Sequence, residues 1–207
     1  MIGMLIVGSY SIVDSVFIGQ SGGEIGLASV AVTWPLVMMF GAVGDMLGTG
    51  AAILVSQSRG RGQMVKARQM LGNMLVGQFV LGTVMTFLFI RYLEPILRSF
   101  GAEDELIPLA KSYALILIYG GCACMVMFGL ISVIRNDGRP VLAMWLTIAG
   151  LLLNMSMDYL FIFPWNYGVK GAAYATVISQ FVIAVAGLIY FATNYTEPVS
   201  YTHLRAH

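Results

Sequence analysis

Residues 142–163 form a continuous apolar run whose only charged side chain is Asp158. A helix that crosses a bilayer needs about 20 consecutive, mostly apolar residues, so this run is long enough to span a membrane. A carboxylate near the centre of such a segment costs about 2.5–3.5 kcal/mol on insertion scales. The run therefore predicts a membrane-spanning helix in which Asp158 has a specific role.

Six apolar runs of this kind follow one another along the chain. They cover residues 1–18, 31–57, 70–90, 109–134, 141–163 and 171–193. In lipid only helices and closed barrels satisfy the backbone, and a barrel strand would alternate apolar and polar residues. Hydrophobic residues make up 58% of the 207 residues and charged residues 10%, which is far from the composition of a soluble domain. We predict an all-α membrane protein with six transmembrane helices within residues 1–193.

The loops between the runs predict how the helices are oriented. The second and fourth loops contain six of the eleven Lys and Arg residues, whereas the third loop is net acidic. Basic loops remain on the cytoplasmic side of a membrane. We therefore expect the odd-numbered helices to run outward in a multi-pass protein of the cell (cytoplasmic) membrane. The net charge of +1 gives no reason to expect a nucleic-acid partner.

The two ends of the chain depart from this pattern. The first run opens at residue 1 without a polar flank, so we expect the numbered chain to begin inside the first helix. Residues 194–207 are polar, lack helical periodicity and contain both histidines. We predict that they form an unstructured tail outside the helical unit.

Three ionisable side chains lie well inside the six runs, and all three are acidic: Asp14, Asp45 and Asp158. Intramembrane carboxylates line ion or substrate pathways, or pair with one another, because lipid does not solvate them. Without interior Lys or Arg, a cavity between these helices would favour protons, metal cations or organic cations over phosphates. Asp45 lies in mid-run beside Gly44 and Gly48, whose spacing predicts close packing against another helix, and we regard it as a weaker candidate than the other two.

Asp14 and Asp158 are expected at similar depth, because each lies in the outer half of an outward-running helix. Tyr10 lies one turn before Asp14 and Asn154 one turn before Asp158, so each pair shares a helix face. Thr176 lies near the outer end of the sixth helix and could reach the same level. These five residues are the predicted site for a cation and for coupling to protons, although polar residues of these types also serve as hydrogen-bonding contacts between helices.

Five short motifs resemble, in order, the amino-terminal half of the multidrug and toxic compound extrusion (MATE) family, in its prokaryotic branch. They are YSIVDSVFIG at 10–19, the link 23–31 leading to Trp34-Pro35, RNDGRP at 135–140, Leu153-Asn154 with Asp158, and GVKGAAYAT at 168–176. Each motif alone is weak, but their common order and spacing over residues 1–193 make the resemblance specific.

This resemblance implies one six-helix lobe of a twelve-helix, two-lobe antiporter, with the carboxy-terminal lobe missing from the sequence. The family exports cationic, amphipathic compounds in exchange for H+ or Na+, and needs no other cofactor, no bound metal and no enzymatic step. Its amino-lobe cation site corresponds to Tyr10, Asp14, Asn154, Asp158 and Thr176. Ser11 departs from the Asn that is common before Ile-Val-Asp, which affects hydrogen bonding but not the carboxylate.

Two other functions are compatible with parts of the pattern. A flippase of lipid-linked precursors or polysaccharides has a related architecture, but a pyrophosphate cargo would require basic residues in the cavity. An intramembrane aspartyl protease uses two aspartates as general acid and base. Its Gly-x-Gly-Asp signature fails here, because Ala42 stands where the first glycine would be.

Overall fold

The computed structural model describes the backbone of residues 2–194 and the side chains of residues 15–193. The predicted tail therefore lies almost wholly outside the described residues. Seven helices occupy this part of the chain: α1 (Ile2–Gly60), α2 (Met64–Arg91), α3 (Leu93–Ser99), α4 (Ile107–Tyr119), α5 (Gly121–Asn136), α6 (Pro140–Ile162) and α7 (Val169–Asn194). Among the described residues, the six predicted runs are helical except at Gly120 and Phe163, which confirms the all-α fold class.

Helix α1 contains both the first and the second predicted run. The link between the two runs is helical except at one residue, Gly23, which has φ 59° and ψ −153°. A Cβ atom on Gly19 would lie 3.0 Å from Leu27 Cδ1, although a straight helix would place these residues about 12 Å apart along its axis. The chain therefore bends sharply at Gly23. The sequence predicted a link of about a dozen residues, but one glycine suffices because it adopts positive φ without strain.

The fourth predicted run is not one straight helix but two, α4 and α5, which meet at an angle of 52°. Two glycines at the junction allow close packing: a Cβ atom on Gly120 would lie 2.4 Å from Val177, and one on Gly121 would lie 2.4 Å from Phe40. Hydropathy could not predict this bend because the run is apolar throughout. Within the described residues, four helices are long and apolar enough to span a membrane, or five when the bent pair counts as one span.

Contacts at the two ends of the bundle show that the connections alternate between its sides. Beside the break in α1, Cβ atoms on Gly22 and Gly26 would lie 2.5 and 3.0 Å from Val169, at the start of α7. At the opposite end, Arg59 of α1 forms an ion pair with Asp137, in the turn between α5 and α6. The second part of α1, α6 and α7 therefore each run from one side of the bundle to the other, as the loop charges predict.

Two glycines of α1 bring it into direct backbone contact with α5. A Cβ atom on Gly44 would lie 2.6 Å from the carbonyl oxygen of Met125, and one on Gly48 would lie 2.5 Å from the Cα of Gly129. Small residues four positions apart permit this kind of approach between membrane helices. The close packing expected from the Gly44 and Gly48 spacing is thus confirmed.

A polar cluster of Arg59, Asp137 and Tyr190 joins α1, the α5–α6 turn and α7 at the end carrying the basic loops. Asp137 has a side chain only 3% exposed; it forms an ion pair with Arg59 and accepts a hydrogen bond of 3.3 Å from the Tyr190 hydroxyl. The guanidinium of Arg139 lies over the Tyr190 ring, 5.4 Å from its centroid. One carboxylate therefore links three elements that are distant in sequence.

We expect Asp137→Ala to lower the free energy of unfolding by about 2 kcal/mol, because it removes the acceptor from a largely buried ion pair and hydrogen bond. Asp104→Ala is the matched control, since it removes an ion pair with Arg98 in which the aspartate is 87% exposed. Exposed pairs contribute about 0–1 kcal/mol. Thermal unfolding in detergent measures both variants, and equal midpoints would contradict a stabilising role of Asp137.

Candidate functional site

The predicted site residues on α6 are buried inside the bundle. Asp158 is 1% exposed and Asn154 is 3% exposed, and the two lie one helical turn apart. Asp158 lies four residues before the end of the apolar helix α6, and its low exposure means that protein rather than lipid encloses the carboxylate. Burial of a carboxylate in such a segment is costly without polar neighbours.

Thr176 of α7 supplies one of these polar neighbours. The Asn154 Nδ2 atom donates to Thr176 Oγ1 at 3.4 Å, and Thr176 is half-buried. The two helices approach closely because α7 carries a glycine at this level: a Cβ atom on Gly171 would lie 3.0 Å from Phe161. The structure therefore brings together Asn154, Asp158 and Thr176 as the sequence predicts.

Apolar side chains close the outer side of this site. Ile18 of α1, Ile162 of α6 and Val169 of α7 belong to one buried cluster, and the rings of Phe17 and Phe163 meet edge to face at 5.7 Å. Ile162 lies one turn beyond Asp158 on the same helix face. These contacts separate the polar residues from the outer loop between α6 and α7.

Two predicted site residues, Tyr10 and Asp14, lie in the first part of α1, where the backbone is helical but the side chains lie outside the described residues. Their place in the site stays a prediction. The interior next to the described part of α1 is tightly packed, with a cavity of about 10 Å3 lined by Thr33, Phe40, Gln180 and their neighbours. That volume is near the minimum for one water molecule.

Asp45 does not belong to this group. It lies on the exposed side of α1, and one of its carboxylate oxygens accepts a hydrogen bond from the hydroxyl of Ser132 on α5. Ser132 lies four residues, about 6 Å, before the end of α5 at the basic-loop side, whereas Asp158 lies 18 residues, about 27 Å, after the start of α6 at that side. Asp45 is therefore closer than Asp158 to the basic-loop end of the lobe.

Buried polar residues that the sequence did not predict include Ser29 and Gln78. Gln78 of α2 is fully buried and donates from Nε2 to the carbonyl oxygens of Gly44 and Met125, both at 3.1 Å. Ser29 of α1 is fully buried three residues after Gly26. Neither has a sequence signal beyond being a lone polar residue, and only the glycine spacing next to Gly44 indicated a close helix crossing there.

Comparison with known proteins gives relatives that are transporters rather than enzymes, in agreement with the prediction. The "Multidrug export protein MepA" of Staphylococcus saprophyticus is 27% identical over 191 residues, which cover 92% of this chain and 42% of that protein. The corresponding protein of Staphylococcus aureus strain MRSA252 is 26% identical over 194 residues and covers 94% of this chain and 43% of its own length. The chain thus spans less than half the length of the curated relatives it matches.

Solved structures show the same relationship in three dimensions. A transporter of the MOP superfamily from Pyrococcus furiosus superposes with a TM-score of 0.85 at 27% identity, over 96% of this chain and 44% of its own. An outward-facing multidrug resistance MATE family transporter superposes with a TM-score of 0.83 at 28% identity, over 93% of this chain and 42% of its own. The described helices therefore correspond to one lobe of such transporters. A family model described as MatE matches residues 1–160, which is well over half of the sequence, so the chain belongs to the MatE family.

Proposed function

We propose that this chain is the amino-terminal lobe of a multidrug exporter of the cytoplasmic membrane, which exchanges cationic, amphipathic compounds for H+ or Na+. The observation that carries the proposal is the buried Asp158, placed beside Asn154 and Thr176 within an apolar bundle. A carboxylate in that environment favours a cation or a proton as its partner. The relatives named as multidrug export proteins support the same class of cargo.

Asp14 is the proposed second carboxylate of this site. Its backbone lies one turn before Ile18 on α1, just as Asp158 lies one turn before Ile162 on α6. Ile18 and Ile162 belong to the same buried cluster, so positions 14 and 158 fall at similar depth. Two carboxylates at one level would provide both a binding site for the drug and an acceptor for the coupling ion.

Exchange follows from competition for these carboxylates. When Asp14 and Asp158 are ionised, a cationic drug is held by charge and by apolar contacts. A proton or Na+ that arrives from outside removes the net charge that held the drug, which is then released. The driving force is adequate, because one charge moved across 100 mV is worth about 2.3 kcal/mol.

The test uses the complete transporter that carries this lobe, reconstituted in proteoliposomes with ethidium as the cationic probe. A pH or Na+ gradient that drives the ion in the direction opposite to drug export should make ethidium transport severalfold faster than it is without a gradient. A gradient of the opposite direction should not accelerate transport. The response to one gradient but not the other identifies the coupling ion. Transport that responds to neither gradient would contradict exchange, and translocation of lipid-linked sugars in its place would favour the flippase.

A further inference from the structure

We propose that Asp45 and Ser132 form a second cation site, in the inner half of the lobe, which binds the charged group of an organic cation arriving from the cytoplasmic side. The inference rests on the proposed function for the nature of the cargo, but the site itself is independent of Asp158. It gives a role to the one described intramembrane carboxylate that the outer site does not use.

The position of Asp45 limits what can surround it. The residue lies well inside the apolar part of α1 that follows Gly23, yet it is exposed on the surface of the lobe. Lipid contact would leave the carboxylate without solvation. The face of α1 that carries Asp45 must therefore line an aqueous cavity or meet another polar surface, and this face is the inferred wall of the export pathway.

Ser132 holds the carboxylate in place. Its hydroxyl donates to one Asp45 oxygen, and Ser132 is only 3% exposed, so the donor is fixed by the packing of α5. The helices meet there because Gly44 and Gly48 flank Asp45 and allow backbone contact with α5. Among the described residues, no Lys or Arg lies within ion-pair distance of Asp45. The carboxylate is thus preorganised and its charge is available to a ligand.

The neighbouring surface suits an organic cation better than a bare metal ion. Met38 and Met46 are 43% and 63% exposed on α1, and Phe128 of α5 lies beside Gly41, one turn from Asp45. Methionine and aromatic side chains adapt to flat apolar groups of varied shape. A metal ion would require a shell of several oxygen ligands, whereas the oxygens in hydrogen-bond contact here are those of the Asp45 carboxylate and the Ser132 hydroxyl. The site therefore combines one negative charge with an adaptable apolar wall.

The decisive measurement removes the outer site first. The complete transporter carrying Asp158→Asn is purified in nanodiscs, and ethidium binding is followed by fluorescence anisotropy. We expect residual binding in Asp158→Asn, and a further loss of about tenfold in affinity when Asp45→Asn is added, because the amide lacks the charge but can still accept the Ser132 hydrogen bond. The control Asp158→Asn/Thr49→Val changes a neutral exposed residue one turn from Asp45, and should bind as Asp158→Asn does.

The outcomes separate the two proposals. If the double aspartate variant and Asp158→Asn bind ethidium equally, the inner site is excluded while the outer site stands. If Asp158→Asn transports normally, the proposed function fails, whereas the added effect of Asp45→Asn still measures the inner site. The uncharged dye Nile red provides a further control: equal weakening of ethidium and Nile red would indicate a structural defect and overturn the assignment.

Accessibility gives a second test that does not depend on affinity. In a background with Cys122 and Cys124 replaced by Ala, Asp45→Cys should react with a membrane-impermeant thiol reagent in inverted vesicles, and ethidium should slow the reaction. Phe79→Cys is the lipid-facing control, because Phe79 is 66% exposed on the apolar helix α2. An Asp45→Cys that reacts no faster than Phe79→Cys would place this face against lipid and exclude the site.

Discussion

Asp158→Asn in the complete transporter is expected to abolish coupled drug efflux while leaving the protein folded. Asn has nearly the same size as Asp and can accept the same hydrogen bonds, but it carries neither charge nor a titratable proton. Two unit charges 4 Å apart interact by about 4 kcal/mol at an effective dielectric constant of 20. After the desolvation of both charges is subtracted, a loss on the order of 100-fold in affinity for a cationic drug is expected.

Drug resistance of cells and ethidium efflux measure this loss, with protein abundance and the thermal midpoint as folding controls. Asp104→Asn is the matched control, because Asp104 is 87% exposed in the acidic loop and should leave efflux unchanged. Thr176→Val separates charge from hydrogen bonding: it removes the acceptor of the 3.4 Å contact with Asn154 but keeps Asp158, so a partial effect is expected. Normal resistance in a well-expressed Asp158→Asn variant would remove Asp158 from the mechanism.

Much of the fold could be predicted because the bilayer constrains it. Runs of about 20 apolar residues must be helices in lipid, and the described parts of the six predicted runs are helical except at Gly120 and Phe163. The breaks could not be predicted in the same way. The bend between Tyr119 and Gly121 lies inside a continuous apolar run, and the break in α1 needs only Gly23. Hydropathy measures the length of an apolar run, not its local dihedral angles.

The contact of Asn154 with Thr176 was predictable for a different reason. Helical period places Asn154 and Asp158 on one face, and alternating helix directions place Thr176 at the same depth. The Asp45–Ser132 pair was not predictable, because it depends on where α1 and α5 cross. That crossing is fixed by Gly44, Gly48 and the buried Gln78, and sequence patterns gave only the two glycines.

Gln78 shows how this crossing is stabilised. Its amide donates to a carbonyl oxygen of α1 and to one of α5, so a single buried side chain of α2 joins three helices. A Cβ atom on Gly129 would lie 1.9 Å from Gln78 Nε2, so a larger residue there would displace the amide from its hydrogen bonds. Separation of α1 from α5 would therefore break backbone contact and both amide hydrogen bonds together.

Gly48→Ala is accordingly expected to destabilise the lobe by about 3 kcal/mol. Its Cβ atom would meet the Gly129 backbone at 2.5 Å, and a backbone cannot move aside as a flexible side chain does. Overpacking of this kind costs about 1–3 kcal/mol, and stretched or lost hydrogen bonds from the buried Gln78 amide add about 1 kcal/mol. The thermal midpoint in detergent and the yield of monodisperse protein measure the effect.

Gly72→Ala is the matched control. Gly72 lies on α2, and a Cβ atom added to it would have no neighbouring group within 4 Å. Alanine is favoured over glycine in a helix by about 0.5–1 kcal/mol, so this variant should be neutral or slightly more stable. If Gly48→Ala lowers the thermal midpoint and Gly72→Ala does not, the stability of the α1–α5 contact depends on the absence of a side chain at Gly48 and not on the number of glycines. Equal midpoints for the two variants would instead mean that the helices can separate at Gly48 without loss. In that case the crossing would not fix the position of Asp45 against Ser132, and the inner site would lose its preorganised geometry.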